Sequence, residues 1–361
     1  MSMKKVVILA AAALTLAACA KTYELQETAQ PKIGFDTWAN NLTKAREQGT
    51  STFVAGDDFA VYGYKAMSDN SNPQNVFEGV TVSTTNGTTW TYETPRFWDS
   101  NYDKYTFFAV SPASVGTSVT VNPQTGVITS TSPSTAITFA GNDNDILVAD
   151  KKVVNKNDGN VYFNGYGTVP LVFNHVASLV DIKVKKTPAL KDATVSVTAL
   201  QLKDINDIGT LSVSDAYTNS HPIPTWTPTS STTNYGNTNL NIAVAQDANF
   251  NPDSHNNPSA STDVISNLVV MPQALTAGQK ISISYTIAVA GGDTIVVTDA
   301  ELLLADFDNT NTSNQEGAKI VSWEYGKHYT YYITIDAAHA ITFEASITPW
   351  TAVSGYNYLV Y

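Results

Sequence analysis

Apolar side chains recur at every second position through most of this chain. In LVDIKV, Val180, Ile182 and Val184 fall on one face and Leu179, Asp181 and Lys183 on the other. That is the period of a half-buried β-strand. The first such pattern is KIGFDTW (32–38), where Ile33 and Phe35 share a face. FAVYGY (59–64), TTWTY (88–92), KYTFFAV (104–110), TSVTV (117–121), AITFA (136–140) and DILVA (145–149) follow at hairpin spacing. Turn chemistry separates them, as in Thr85-Asn86-Gly87 and Asn122–Gly126. A second series begins with TVPLVF (168–173) and continues through LVDIKVKK, TVSVTALQL, LNIAVA, LVVMP, KISISYTIAVA, TIVVTDA, YTYYITI and ITFEASI. No run carries a helical stripe of four turns.

Asp150–Gly167, rich in Asn, Gly and Lys, reads as the connection between the two series. Ser214–Tyr235 and Gln246–Ser261 read as long polar loops. The pattern predicts an all-β chain of two β-sandwich domains in tandem, 32–167 and 168–350. Composition agrees: charged residues are only 14% of 361, with Thr, Ser, Asn, Val and Tyr abundant. The formal net charge of −12 argues against nucleic acid as a partner, since phosphates demand stripes of Lys and Arg.

The opening residues belong to export. MSMKK is a positive n-region, and Val6–Leu16 an apolar stretch of signal-peptide length. It runs into Leu16-Ala17-Ala18-Cys19, small residues before the chain's one cysteine, in the manner of a lipobox. Residues 1–18 then form the signal peptide, Cys19 takes the lipid, and 19–31 tether it to the fold. The other reading is an ordinary signal peptide with an incidental Cys. A single thiol excludes intrachain disulfides, so packing must supply the stability.

No catalytic constellation emerges, and no cofactor is expected. His175, His221, His255, His328 and His339 lack metal-ligand spacing. DFDNTNTSNQE (306–316) alternates oxygens but lacks the Gly and Glu that an EF-hand loop requires. A glycosidase carboxylate pair would leave no trace in the sequence. Of the tryptophans, Trp90, Trp323 and Trp350 border strand patterns, where burial is the common fate. Trp226, in the Pro-flanked HPIPTWTPT, is the candidate surface contact.

FAVYGY, TWTYETPRFWDSNYDKYTFFAVSP, VPLVFNHVASLVDIKVK, VVMPQ, WEYGKHYTYYITI and ITPW stand in the order and spacing of a known family. With the lipobox ahead of them, the chain resembles the fimbrillin-like, lipoprotein-derived (type V) pilins of Gram-negative gut and oral bacteria. The resemblance implies two transthyretin-like β-sandwiches, display on the outer membrane as a lipoprotein, and later incorporation into a surface pilus. It also implies other pilin subunits as partners and a trypsin-like protease that cuts behind the first strand. In NNLTKAREQG that cut would follow Arg46, with Lys44 as the alternative, releasing the strand that carries Ile33 and Phe35.

Polymerisation in such pilins is β-strand addition. Here the chain ends SGYNYLVY within a tail spanning 351–361, where Tyr356, Tyr358 and Val360 alternate with Leu359 and Tyr361. These residues are the candidate donor strand, against the plainer reading that the tail pairs within its own domain. A competing function is a surface lipoprotein that binds glycans through Trp226 and never polymerises. The host or bacterial ligand is not specified by the sequence.

The lipobox generates the first prediction. Cells expressing the chain should incorporate labelled palmitate into it, and Cys19→Ser should abolish the label and leave the leader uncleaved.

Overall fold

The computed structural model describes residues 31–39, 53–130, 136–139, 145–156, 167–214, 221–250, 260–307, 319–337 and 341–350. Its first sheet contains β1 (Phe35–Ala39), β2 (Asp58–Ala66), β3 (Gln74–Thr84), β4 (Trp90–Thr91) and β5 (Lys104–Ser111). It is completed by β9 (Leu147–Ala149), β10 (Lys152–Asn155) and β11 (Val169–His175). The order is β1–β11–β9–β5–β2–β3–β4, with β10 paired to β5.

This sheet is apolar on both faces, which is why FAVY and FFAV read as continuous runs rather than clean alternations. Phe59, Val61, Phe107 and Ala109 point into an aromatic core with Phe77, Trp90, Trp98 and Phe173. Ala60, Tyr62, Phe108 and Val110 point the other way, into a second core. That second core is closed by a sheet of β6 (Thr120–Val121), β7 (Ile128–Thr129), β8 (Ile137–Thr138), β14 (Ile208–Val213) and β15 (Pro224–Pro228). Gly126, at φ 75°, lets the β6–β7 turn press onto Phe108, where a Cβ would sit 2.1 Å from a ring carbon.

A third core lies between two further sheets. One is β18 (Thr262–Val270), β12 (Ser178–Lys186), β23 (Lys327–Ile335) and β24 (Ile341–Pro349), in that order. The other holds β13 (Ala193–Asn206), β16 (Thr232–Asn237), β17 (Ile242–Ala243), β20 (Lys280–Val289) and β21 (Thr294–Leu303). As the alternation requires, Val180, Ile182 and Val184 of β12 enter this core, while Leu179 joins the second. A short pair, β19 (Gln273–Ala274) with β22 (Ser322–Trp323), lies outside these sheets.

Several expectations change. The 167/168 boundary does not separate the strands: β11 belongs to the first sheet, because Val169, Leu171 and Phe173 fill its aromatic core. Strands from both sides of that boundary also share the sheet of β6, β7, β8, β14 and β15. TSVTV is only partly extended, since Val115–Ser118 form one short helical turn. The Asp150–Gly167 connection contributes β10, and the Ser214–Tyr235 loop contributes β15 and the start of β16.

Asp181 is the carboxylate that holds a bulge in the β12–β18 ladder. Its Oδ1 accepts the N–H of Asn267 (2.7 Å), a residue at φ 54°, and its Oδ2 lies 2.9 Å from His328 Nε2. Burial pushes its acidity toward the protonated form. Hydrogen bonding and charge from His328, the Asn267 N–H and the charge of Lys183 outweigh that, leaving the pKa below the ordinary 3.8. A depressed carboxylate contributes stability that is present above the unfolded pKa and lost as pH falls through the folded one. Denaturant unfolding from pH 6 downward should therefore show stability falling below about pH 4, with a shallower fall in Asp181→Asn.

Candidate functional site

The segment 31–39 occupies a slot with a wall on each side. Pro31–Ile33 are held by the Arg96–Trp98 segment: Ile33 N–H donates to Arg96 O (2.8 Å), and Trp98 N–H donates to Pro31 O (2.9 Å). From Phe35 onward, β1 pairs in parallel with β11, Phe35 opposite Val169 and Ala39 opposite Phe173. The Tyr92 hydroxyl donates to Ile33 O at 2.6 Å from beneath. Among the described residues, β1 is the terminal strand of its sheet, with β11 as its ladder partner.

The side chains go deep. Ile33 is fully buried and Phe35 is 4% exposed. The Phe35 ring meets Phe77 at 5.3 Å, Phe107 at 5.7 Å, Tyr92 at 6.0 Å and Phe59 at 6.1 Å, mostly edge to face. Burying two such residues stabilises by about 1.5–3 kcal/mol each. This edge strand thus completes a core made otherwise of residues 53–173.

A second feature is a cleft of about 730 Å³ where β11, β15, β19 and β22 approach one another. Trp226 forms part of its wall. Its indole N–H donates to Val176 O (2.6 Å) and its ring stands edge-on to Phe139 at 5.2 Å. It is half-buried and fixed rather than a free surface platform. His175 lies at the bottom, stacked on Trp350 at 3.7 Å and 6°, with Nδ1 2.8 Å from Asp145 Oδ1.

The rim of the cleft is pinned from below by β23. Trp323 Nε1–H donates to the Tyr331 hydroxyl (2.7 Å), and the Glu324 N–H donates to the Tyr329 hydroxyl (2.8 Å). Burial pushes the Tyr329 phenol up to about 12 and the Tyr331 phenol further, so both stay neutral. Ser178 Oγ–H donates to Glu324 O (2.8 Å), and Trp350 N–H donates to Gly326 O (2.8 Å). Gly326, at φ 64°, supplies the left-handed turn this requires.

Of the residues singled out in the sequence, Ile33 and Phe35 lie together in the slot, and Trp226 lies in the cleft. Cys19, Lys44, Arg46, Tyr356, Tyr358, Leu359, Val360 and Tyr361 lie outside the described residues. Trp90, Trp98, Trp323 and Trp350 are buried. Sequence reasoning missed the His175–Asp145–Trp350 cluster. No spacing signal marks it, because each member comes from a different element.

These features define an all-β body whose first strand is a terminal insert in its leading sheet. A family model described as "Fimbrillin-like" matches residues 43–350. The chain belongs to the fimbrillin-like family. In fold it is similar to a fimbrial protein from Bacteroides vulgatus, at TM-score 0.56 and 18% identity over 89% of this chain and 99% of that one. A putative cell adhesion protein from Bacteroides uniformis matches at TM-score 0.44 and 18% identity, over 89% and 98% of the two chains. The tip fimbrial protein Mfa3 from Porphyromonas gingivalis matches at 0.36 and 10%, over 89% and 100%. No curated protein matches the chain.

Phe35→Ala should lower unfolding stability by about 3–5 kcal/mol, the cost of emptying an aromatic site. Urea titration followed by Trp fluorescence measures this. A loss below 1 kcal/mol would mean that the slot collapses readily around the gap.

Proposed function

We propose that the protein is a structural and adhesive subunit of a bacterial surface pilus, assembled by β-strand exchange. It is exported as a lipoprotein, lipidated at Cys19 and held at the outer membrane. A trypsin-like protease cuts after Arg46, or after Lys44, in the segment between β1 and β2. The tether and β1 then leave the body together, and the 351–361 tail of another subunit occupies the place they vacate.

One observation carries this reading: β1 is terminal in its sheet yet fills the core with Ile33 and Phe35. A strand in that position can depart without breaking the ladders of its neighbours, and its departure uncovers an apolar slot that must be refilled. Its pairing with β11 is parallel, an arrangement slightly weaker per residue than antiparallel. The tail carries the chemistry a replacement needs, since Tyr356, Tyr358 and Val360 share one face when extended. Family membership gives the reading its context.

The test is limited trypsin digestion of the full chain, followed by SDS electrophoresis without boiling. The expected result is one early nick at residues 44–46, loss of the 1–46 fragment, and SDS-resistant ladders. A chain ending at residue 353 should be nicked equally and form none. Nicks scattered over other segments, or undiminished ladders from the shortened chain, would overturn the mechanism.

A further inference from the structure

On the strand-exchange reading above, we propose that β1 is an autoinhibitory strap. It stays in the slot after the cut, and an incoming strand displaces it, beginning at its Ala39 end.

Covalent attachment is not what holds this strand. Ile33 and Phe35 are buried, and four rings of the body stand within 6.1 Å of the Phe35 ring. Along one edge Trp98 N–H donates to Pro31 O, Ile33 N–H donates to Arg96 O, and the Tyr92 hydroxyl donates to Ile33 O. Along the other, Val169 N–H donates to Gly34 O at 2.8 Å. Lys32 Nζ adds a cation above the Tyr92 ring, 4.8 Å from its centre. Every one of these contacts reaches a residue between Phe59 and Val169, so a cut at 44–46 leaves them all in place.

The frame that grips the strand is itself anchored without it. Arg96 Nε donates to Val76 O (3.2 Å) and Nη1 to Thr94 O (2.9 Å). Arg96 N–H donates to the Tyr92 hydroxyl oxygen (3.3 Å), which turns that hydroxyl's proton toward Ile33 O. Asp99 N–H donates to the Tyr105 hydroxyl (2.7 Å), and the Trp98 ring stands edge-on to Tyr105 at 4.7 Å. Because the frame holds its shape, an empty slot would keep its geometry and lose its partners. Trp98 N–H, Val169 N–H, the Tyr92 hydroxyl and Arg96 O would each forfeit a bond beside two vacated apolar sites, and both losses are costly. The empty slot is the state to avoid, so one strand leaves as another enters.

The two ends of the strap are held unequally. Pro31–Gly34 are bonded along both edges. Among the described residues, Phe35–Ala39 have a ladder along β11 alone, and it is parallel. The cut turns the Ala39 side into a chain terminus, so the more weakly held end is also the one set free. An arriving strand can pair with β11 from Phe173 toward Val169 before Ile33 and its bonds let go.

The experiment nicks the full chain with trypsin, quenches the protease, and passes the product through size exclusion without detergent. Mass spectrometry of the body peak should find the fragment carrying Ile33 and Phe35 still bound. A dye-labelled peptide of residues 31–39, PKIGFDTWA, then serves as the incoming strand. Its uptake should release the fragment at a rate proportional to peptide concentration. Tyr92→Phe loosens the end that leaves last, so it should speed loss of the fragment without peptide about fivefold. The peptide-driven rate in that variant should change less than about twofold. Loss of the parent's fragment without peptide, or exchange at a rate independent of peptide concentration, would overturn the strap. Equal acceleration of both processes by Tyr92→Phe would overturn the order of release. Absence of a nick at 44–46 removes strand exchange and the strap together, whereas a nick there with immediate loss of the fragment removes the strap alone.

Discussion

Ile33 and Phe35 pack against Tyr92 and among Phe59, Phe77 and Phe107, and the first sheet's aromatic core is complete only because they do. The rings around Phe35 come from β2, β3, β5 and the stretch after β4, so one side chain binds four separate pieces of chain together. An interior is packed to crystal-like density, and a vacancy of that size is not tolerated cheaply. The slot therefore imposes a demand on whatever strand lies in it: an apolar, preferably aromatic, side chain at the depth of Phe35. The edge of β11 that β1 pairs with adds a second demand, since a ladder edge left open recruits another strand.

The two-faced character of that sheet explains how the rest is organised. One face turns toward the aromatic core and the other toward the sheet that β14 and β15 share with β6, β7 and β8. Residues from both ends of the chain meet in this middle layer, where Val176, Ala177 and Trp350 join Phe108 and Val110. The passage from β11 to β12 runs through it, which ties the first sheet mechanically to the sheet of β12 and β23.

Much of this was legible in the residues. The alternation of β12, the long apolar runs of β20 and β23, and the shared face of Ile33 and Phe35 all appear where the pattern places them. What was hidden has physical reasons. β3 changes parity at Gly79, whose φ of 75° accompanies register shifts against β2, so that Phe77 and then Val82 and Thr84 are buried. No single period describes it. β15 carries proline at both ends and reads as a loop; it is tolerated as a strand because it lies at a sheet edge, where a missing N–H costs no ladder bond. The boundary between halves was misplaced because β11 is as apolar as the strands that follow, and hydrophobicity does not say which core a strand enters. The cleft was least visible of all, since His175, Asp145, Trp226, Glu324 and Trp350 are brought together only by tertiary packing.

Trp350 closes β24, stacked on His175 and bonded through its N–H to Gly326. The nine residues of β24 lie antiparallel along β23, from Ile341 opposite Ile335 to Pro349 opposite Lys327. β23 in turn lies parallel to β12 in the middle of its sheet. Tension applied beyond Trp350 and directed along the strand axis would load that ladder in shear, with every pair resisting at once instead of parting one by one. The aromatic clamp at its end sets the point where force enters the body.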